Sequence, residues 1–93
     1  MRTAPSNIRL SEARKSDRGI VVGLAVASDH LHGVVAEELE RRLLEIGFVE
    51  GARFEVLEEG LFGRDPLALR LDDMRVALRR REAAAVIVAM DPR

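Results

Sequence analysis

Apolar positions along this chain recur with a period of about two near the N-terminus, shift to a helical period, and return to two for the second half. From Ile20 to Ala27, Ile20, Val22, Leu24 and Val26 alternate with neighbours that are themselves apolar or glycine. That pattern predicts a strand covered on both faces. Gly23 inside it would permit strong curvature or a close backbone approach. Ser28-Asp29-His30-Leu31-His32-Gly33 breaks the pattern. Val34 to Ile46 then reads as a helix, because Val35, Leu39, Leu43 and Ile46 fall on one face. Glu37 with Arg41 and Glu38 with Arg42 stand at i,i+4 in the favourable order, each pair contributing ~0.3 kcal/mol. Gly47 fits the left-handed position just past the helix, with Phe48 or Val49 folding back on the last turn.

Beyond Gly51 the period is again two. Phe54 and Val56 alternate with Arg53 and Glu55. Leu67, Leu69 and Leu71 alternate with Ala68 and Arg70, and Met74, Val76 and Leu78 with Arg75 and Ala77. Leu71-Asp72-Asp73-Met74 predicts a tight hairpin, since aspartate tolerates turn conformations. Gly60 to Pro66 predicts a longer connection punctuated by Gly60, Gly63 and Pro66. Arg80 to Ala84 suits a single helical turn ahead of a buried final strand, Ala85 to Met90. At the other end, Met1 to Asn7 reads as a flexible tail, Ile8-Arg9-Leu10 as a short strand or anchor, and Ser11-Glu12-Ala13 as the start of a turn. The expected domain is therefore residues 8–90. Its expected class is mainly β with one inserted α-helix, a small SH3-like barrel of about five to six short strands.

Composition narrows the possibilities. The chain has 93 residues, 47% of them hydrophobic, enough for one packed core and too few for two. Cysteine is absent, which excludes disulfides, thiolate metal sites and a cysteine nucleophile. The longest apolar-rich stretch, Gly19 to Ala27, is too short to cross a bilayer as a helix. No apolar run follows the first basic residues as a secretory signal would require. A cytoplasmic protein is the expectation. Fifteen Lys and Arg against 16 Asp and Glu leave a net charge of −1, which argues against a dedicated nucleic-acid or membrane-surface binder.

The stretch Arg42, Leu43, Leu44, Glu45, Ile46, Gly47, Phe48 and Gly51 resembles the FeoA family of small cytosolic proteins of bacterial ferrous-iron uptake. Gly63-Arg64-Asp65-Pro66-Leu67-Ala68-Leu69-Arg70-Leu71 resembles the family's glycine-proline loop and following strand. Val76-Ala77-Leu78-Arg79-Arg80-Arg81-Glu82-Ala83 resembles its closing pattern. Leu10-Ser11-Glu12 and Ile20-Val21-Val22-Gly23-Leu24 match more loosely, so the resemblance spans residues 8 to 90. Two departures are turn positions: Glu50 stands where the family usually has proline, and a glycine the family often carries near Ser16-Asp17 is absent. The resemblance implies an SH3-like barrel with an inserted helix. It also implies a non-enzymatic accessory that binds or regulates the cytosolic, GTPase-bearing part of a FeoB-type iron permease.

Candidate chemistry is sparse. His30 and His32, at i,i+2, could hold Fe2+ or Zn2+ if the loop bends, but a real site needs further ligands. The simpler reading is a polar loop with adventitious metal and no required cofactor. Arg79, Arg80 and Arg81, with Arg75 and Arg70 upstream, could dock an acidic partner surface; the simpler reading is a solvated turn with short-range ion pairs. Leu61 and Phe62, flanked by glycines, either cover one end of the barrel, the simpler reading, or anchor a partner. No catalytic constellation is present: there is no Gly-x-Ser-x-Gly elbow or phosphate-binding loop, and Asp72-Asp73 suit a turn. Besides the permease accessory, two readings remain open. One is a regulatory SH3-like module like that ending metal-responsive repressors; the other is a small metal carrier using His30 and His32. SH3-like barrels have strand edges that can pair, which leaves a homo-oligomer open unless charges blunt them.

Overall fold

The computed structural model describes residues 7–26 and 33–92. The alternation seen in the sequence becomes six strands: β1 (Asn7–Arg9), β2 (Arg18–Leu24), β3 (Arg53–Phe62), β4 (Asp65–Leu71), β5 (Met74–Leu78) and β6 (Val86–Met90). They form one antiparallel sheet in the order β1-β6-β2-β3-β4-β5. Helix α1 (Gly33–Ile46) is inserted between β2 and β3, and one turn of helix, α2 (Arg80–Ala83), joins β5 to β6. The class is thus mainly β with an inserted helix, as the periodicities predict.

One face of the sheet makes the core. Phe54 and Val56 from β3, Leu67, Leu69 and Leu71 from β4, and Val86 and Val88 from β6 are all buried there. Leu43 of α1 joins them, with Leu39 and Ile46 packed against the same cluster. Burying a side chain of this size contributes about 1.5–3 kcal/mol, so this one helix face supplies most of what holds α1 in place. The helix stops where the sequence demands. The Phe48 amide donates to the Leu43 carbonyl at 3.0 Å and the Gly47 amide to that of Leu44 at 3.1 Å, the paired bonds of a Schellman cap. Gly47 sits at φ +127, where a side chain would be strained, and Phe48 folds back into full burial.

Two expectations need correction. The strand read over Ile20 to Ala27 runs instead over Arg18–Leu24 and is covered on one face only. Val21 is buried, while Ile20 and Val22 keep 37% and 38% of their surface. Both strand neighbours, β3 and β6, present their cores on the same side, so among the described residues the other face of β2 is only partly covered. The curvature expected at Gly23 is present as a register shift against β6 between Val21 and Gly23. The connection read over Gly60 to Pro66 is not a loop. β3 and β4 continue through it, with Phe62 opposite Asp65 and only Gly63-Arg64 between them. At the N-terminus β1 already includes Asn7, which pairs with Ala89. Leu10, in the 3-10 turn that follows β1, is wholly buried.

Candidate interaction surface

The extended β3–β4 hairpin is where the molecule departs most from a simple core-and-shell pattern. Gly63 and Arg64 both take positive φ, 67° and 60°, as the two central residues of a primed hairpin turn require. Gly60 lets the strands approach closely: a Cβ there would lie 1.9 Å from the Asp65 carbonyl oxygen. The hairpin tip therefore runs beyond the core, and its two large apolar residues stand in solvent. Leu61 is 94% exposed and Phe62 86%. The expectation that this pair covers an end of the barrel is not met. Leaving them in water forgoes about 1.5–3 kcal/mol each relative to burial.

The base of the hairpin is held firmly. Glu59 is mostly buried, and its Oε2 accepts the Lys15 amide at 2.9 Å while Oε1 accepts Arg80 at 2.8 Å. The guanidinium groups of Arg14 and Arg64 each lie 3.7 Å from the same Oε1. The Lys15 amide bond, helped by Arg14, Arg80 and Arg64 and opposed by desolvation, holds the Glu59 carboxyl below the usual glutamate range. Arg80 then ties three segments together. It donates through Nε to the Arg64 carbonyl at 2.7 Å and through its terminal nitrogens to the Ser11 carbonyl and Glu59. Its own amide donates to Asp65 Oδ1 at 2.8 Å. A fork of fixed donors suits this kind of multiple attachment better than a lysine would.

The three arginines read as one basic turn are thus separated in role. Arg80 is committed inside the fold beside the Leu61–Phe62 hairpin. Arg79 and Arg81 are exposed. Arg81 lines a groove of about 500 Å³ between α1 and α2 with Glu38, Leu39, Arg42 and Glu82. Glu82 bridges the two helices, accepting the Arg79 amide at 3.0 Å and the Arg42 guanidinium at 2.8 Å. Arg42 and Glu82 belong to two of the sequence stretches singled out above, and here they meet. Arg14, Glu59 and Arg64 were not among the expected site residues. Lys15 and Glu59 lie 44 positions apart, and no local pattern announces such a pairing.

His30 and His32 lie outside the described residues. Among the described residues no group of three or more His, Asp or Glu is placed to hold a metal ion. No helix among them is long and apolar enough to cross a membrane.

With this geometry in view, the comparisons with known proteins are decisive for family. The FeoA domain model matches residues 8–90. The chain belongs to the FeoA family. Its structure resembles FeoA of Stenotrophomonas maltophilia, crystallised with zinc and described as an SH3 domain protein. The two share 28% identity over 90% of this chain and 95% of that one, with a TM-score of 0.70. A FeoA-like protein of Clostridium acetobutylicum superposes at a TM-score of 0.77, with 24% identity over 98% of this chain and 93% of that one. A manganese-dependent transcriptional repressor shares the fold at a TM-score of 0.75 and 21% identity; 96% of this chain corresponds to 44% of the repressor. A search of curated proteins returned no match. The fold is SH3-like, and the family is a small domain associated with ferrous iron transport rather than an enzyme family.

Proposed function

We propose that this FeoA-family protein is a non-enzymatic, cytoplasmic accessory of ferrous iron uptake that docks on the cytosolic part of a FeoB-type permease through the tip of the β3–β4 hairpin. The observation that carries the reading is the exposure of Leu61 and Phe62 on a hairpin whose base is clamped by Arg80 and Glu59. An apolar pair held in fixed orientation loses little conformational freedom on binding, which is what an interface anchor needs. The Stenotrophomonas maltophilia relative, described as a candidate activating factor of bacterial ferrous iron transport, supports the same direction. Exposed Arg14 and Arg64 beside the tip, and Arg79 and Arg81 farther along, would favour an acidic approach surface.

Binding of the full chain to the cytosolic portion of the permease tests this. Leu61→Ser/Phe62→Ser is expected to weaken binding by about tenfold or more while shifting stability by no more than about 0.5 kcal/mol, since both side chains are solvated already. Unchanged binding by the folded variant removes the hairpin tip from the interface. Micromolar binding of ferrous iron that is lost in His30→Ala/His32→Ala would instead favour the carrier reading.

A further inference from the structure

The solvent face of the sheet carries a row of charges whose sequence of signs is unfinished. Strand register places Arg18 of β2 opposite Glu55 of β3, Glu55 opposite Arg70 of β4, and Arg70 opposite Arg75 of β5. Arg18, Arg70 and Arg75 are exposed. Glu55 is taken by Arg70 at 2.9 Å, and Asp91, at the end of the same face, by Arg53 at 2.8 Å. Arg75 forms no ion pair among the described residues. Like charges directly opposite on neighbouring strands destabilise a sheet, so the Arg70–Arg75 pair costs the free protein stability.

The backbone at the same place is also unfinished. β5 is the last strand of the sheet order, and among the described residues it pairs only with β4. The hydrogen-bond phase is set by the Asp72 amide, which donates toward β3 to the Arg53 carbonyl at 2.8 Å. Two residues earlier, Arg70 must direct its amide and carbonyl the same way, because the direction alternates along a strand. The Arg70–Arg75 pair is therefore one that exchanges no hydrogen bonds, and Arg75 turns its own N–H and C=O to the open edge. Ala77 does the same. Arg79 continues the line: its backbone is extended, at φ −65 and ψ 146, and the period of two puts Arg75, Ala77 and Arg79 on one face.

From this we infer that the β5 edge is a docking site for an extended acidic segment of a partner protein, which adds as a seventh strand beside β5. Main-chain bonds to Arg75 and Ala77 supply the attachment, and carboxylates about four residues apart meet Arg75 and Arg79, relieving the repulsion between Arg70 and Arg75. A second copy of this chain does not fit. Two β5 strands paired antiparallel about Ala77 would set Arg75 of each copy against Arg79 of the other. The inference is independent of the hairpin tip and of the permease reading.

The test uses the full chain and two synthetic β-prone peptides, one with glutamates about four residues apart and one with lysines at those places. Amide exchange and peptide affinity are measured at low and moderate salt. The acidic peptide is expected to bind and to slow exchange at the Arg75 and Ala77 amides, while the lysine peptide does not. Arg75→Glu is expected to leave the fold intact, to weaken the acidic peptide by about tenfold or more, and to gain affinity for the lysine peptide. Binding without protection of those two amides, or equal affinity for both peptides, overturns the proposal. So does self-association of Arg75→Ala with neither peptide binding to the wild type, which would leave Arg75 as a guard against self-pairing.

Discussion

The two hairpins that share β4 use turns of the same length and present opposite surfaces. At the β4–β5 end, Leu71 faces Met74 across Asp72-Asp73, with Asp72 at φ 51. Asp72 spends its polar groups inward: its side chain accepts the Arg53 amide at 3.0 Å, and its own amide donates to the Arg53 carbonyl. Beside this turn Leu71 is fully buried, and Met74, close to Gly47 at the end of α1, keeps 47% of its surface, so one flank is core and the other half-covered. At the β3–β4 end, the Gly63-Arg64 turn is equally tight, yet Leu61 and Phe62 beside it meet only water. Turn chemistry fixes where a hairpin reverses. Whether its flanks are core or surface depends on what other elements reach it; here Arg14, Lys15 and Arg80 reach the base at Glu59 and leave the tip in water.

The largest expected effect comes from closing the gap that lets β3 run alongside β4. Gly60→Ala places a methyl group on the Asp65 backbone, and we expect a loss of about 3 kcal/mol in unfolding free energy by urea titration. Gly63→Ala adds its methyl to open space and should cost about 1 kcal/mol, for the positive φ alone. Equal losses at the two sites would mean that the close approach does not constrain the hairpin.

Next in size is the clamp. Arg80→Ala removes bonds to Ser11, Arg64 and Glu59 and should cost about 2 kcal/mol near neutral pH. Arg80→Lys should recover less than half, because an ammonium cannot reach all three partners. The cost depends on pH through Glu59, whose carboxyl titrates below its ordinary value of about 4.5 in the folded state. A depressed carboxylate contributes its full stability above the unfolded value and loses it as pH falls through the folded one. The difference between wild type and Arg80→Ala should therefore narrow on going from about pH 7 to about pH 3, as read from paired denaturant curves. A gap that stays constant would separate the clamp from the charge on Glu59.

How much of this was legible in the sequence follows from the range of each interaction. The α1 face, its glycine stop and the Asp72-Asp73 hairpin are set by neighbours within a few positions, and the periodicities of Leu39, Leu43, Leu67, Leu69 and Leu71 announced them. Gly60, Gly63 and Pro66 are all breakers, so the sequence predicts a connection where β3 and β4 in fact pair. A glycine required by close approach within a sheet looks the same as a glycine in a loop. The Glu59 cluster was invisible because its members come from the turn beginning at Arg14, β3, the hairpin turn and α2. The separation of Arg79, Arg80 and Arg81 was hidden for the same reason: one residue of the run is consumed by partners up to 69 positions away.

The smallest expected effect concerns the turn that feeds Lys15 to Glu59, and it runs in the stabilising direction. Arg14 to Asp17 make a β-turn: the Asp17 amide donates to the Arg14 carbonyl at 2.9 Å, and Asp17 Oδ2 accepts the Arg14 amide at 2.8 Å. Ser16 occupies the third position with φ +80, the place where a type II turn calls for glycine. Ser16→Gly relieves the left-handed strain, worth about 1–2 kcal/mol, against an entropic cost of about 0.5–1 kcal/mol, so a gain near 0.5 kcal/mol is expected. Asp17→Gly should do the reverse, because it deletes a buried carboxylate bonded to the turn. Melting curves of the two variants then decide at which position a glycine relieves the turn. They also show whether a better turn beneath Lys15 tightens the hairpin base, since the Lys15–Glu59 bond should exchange more slowly in Ser16→Gly and faster in Asp17→Gly.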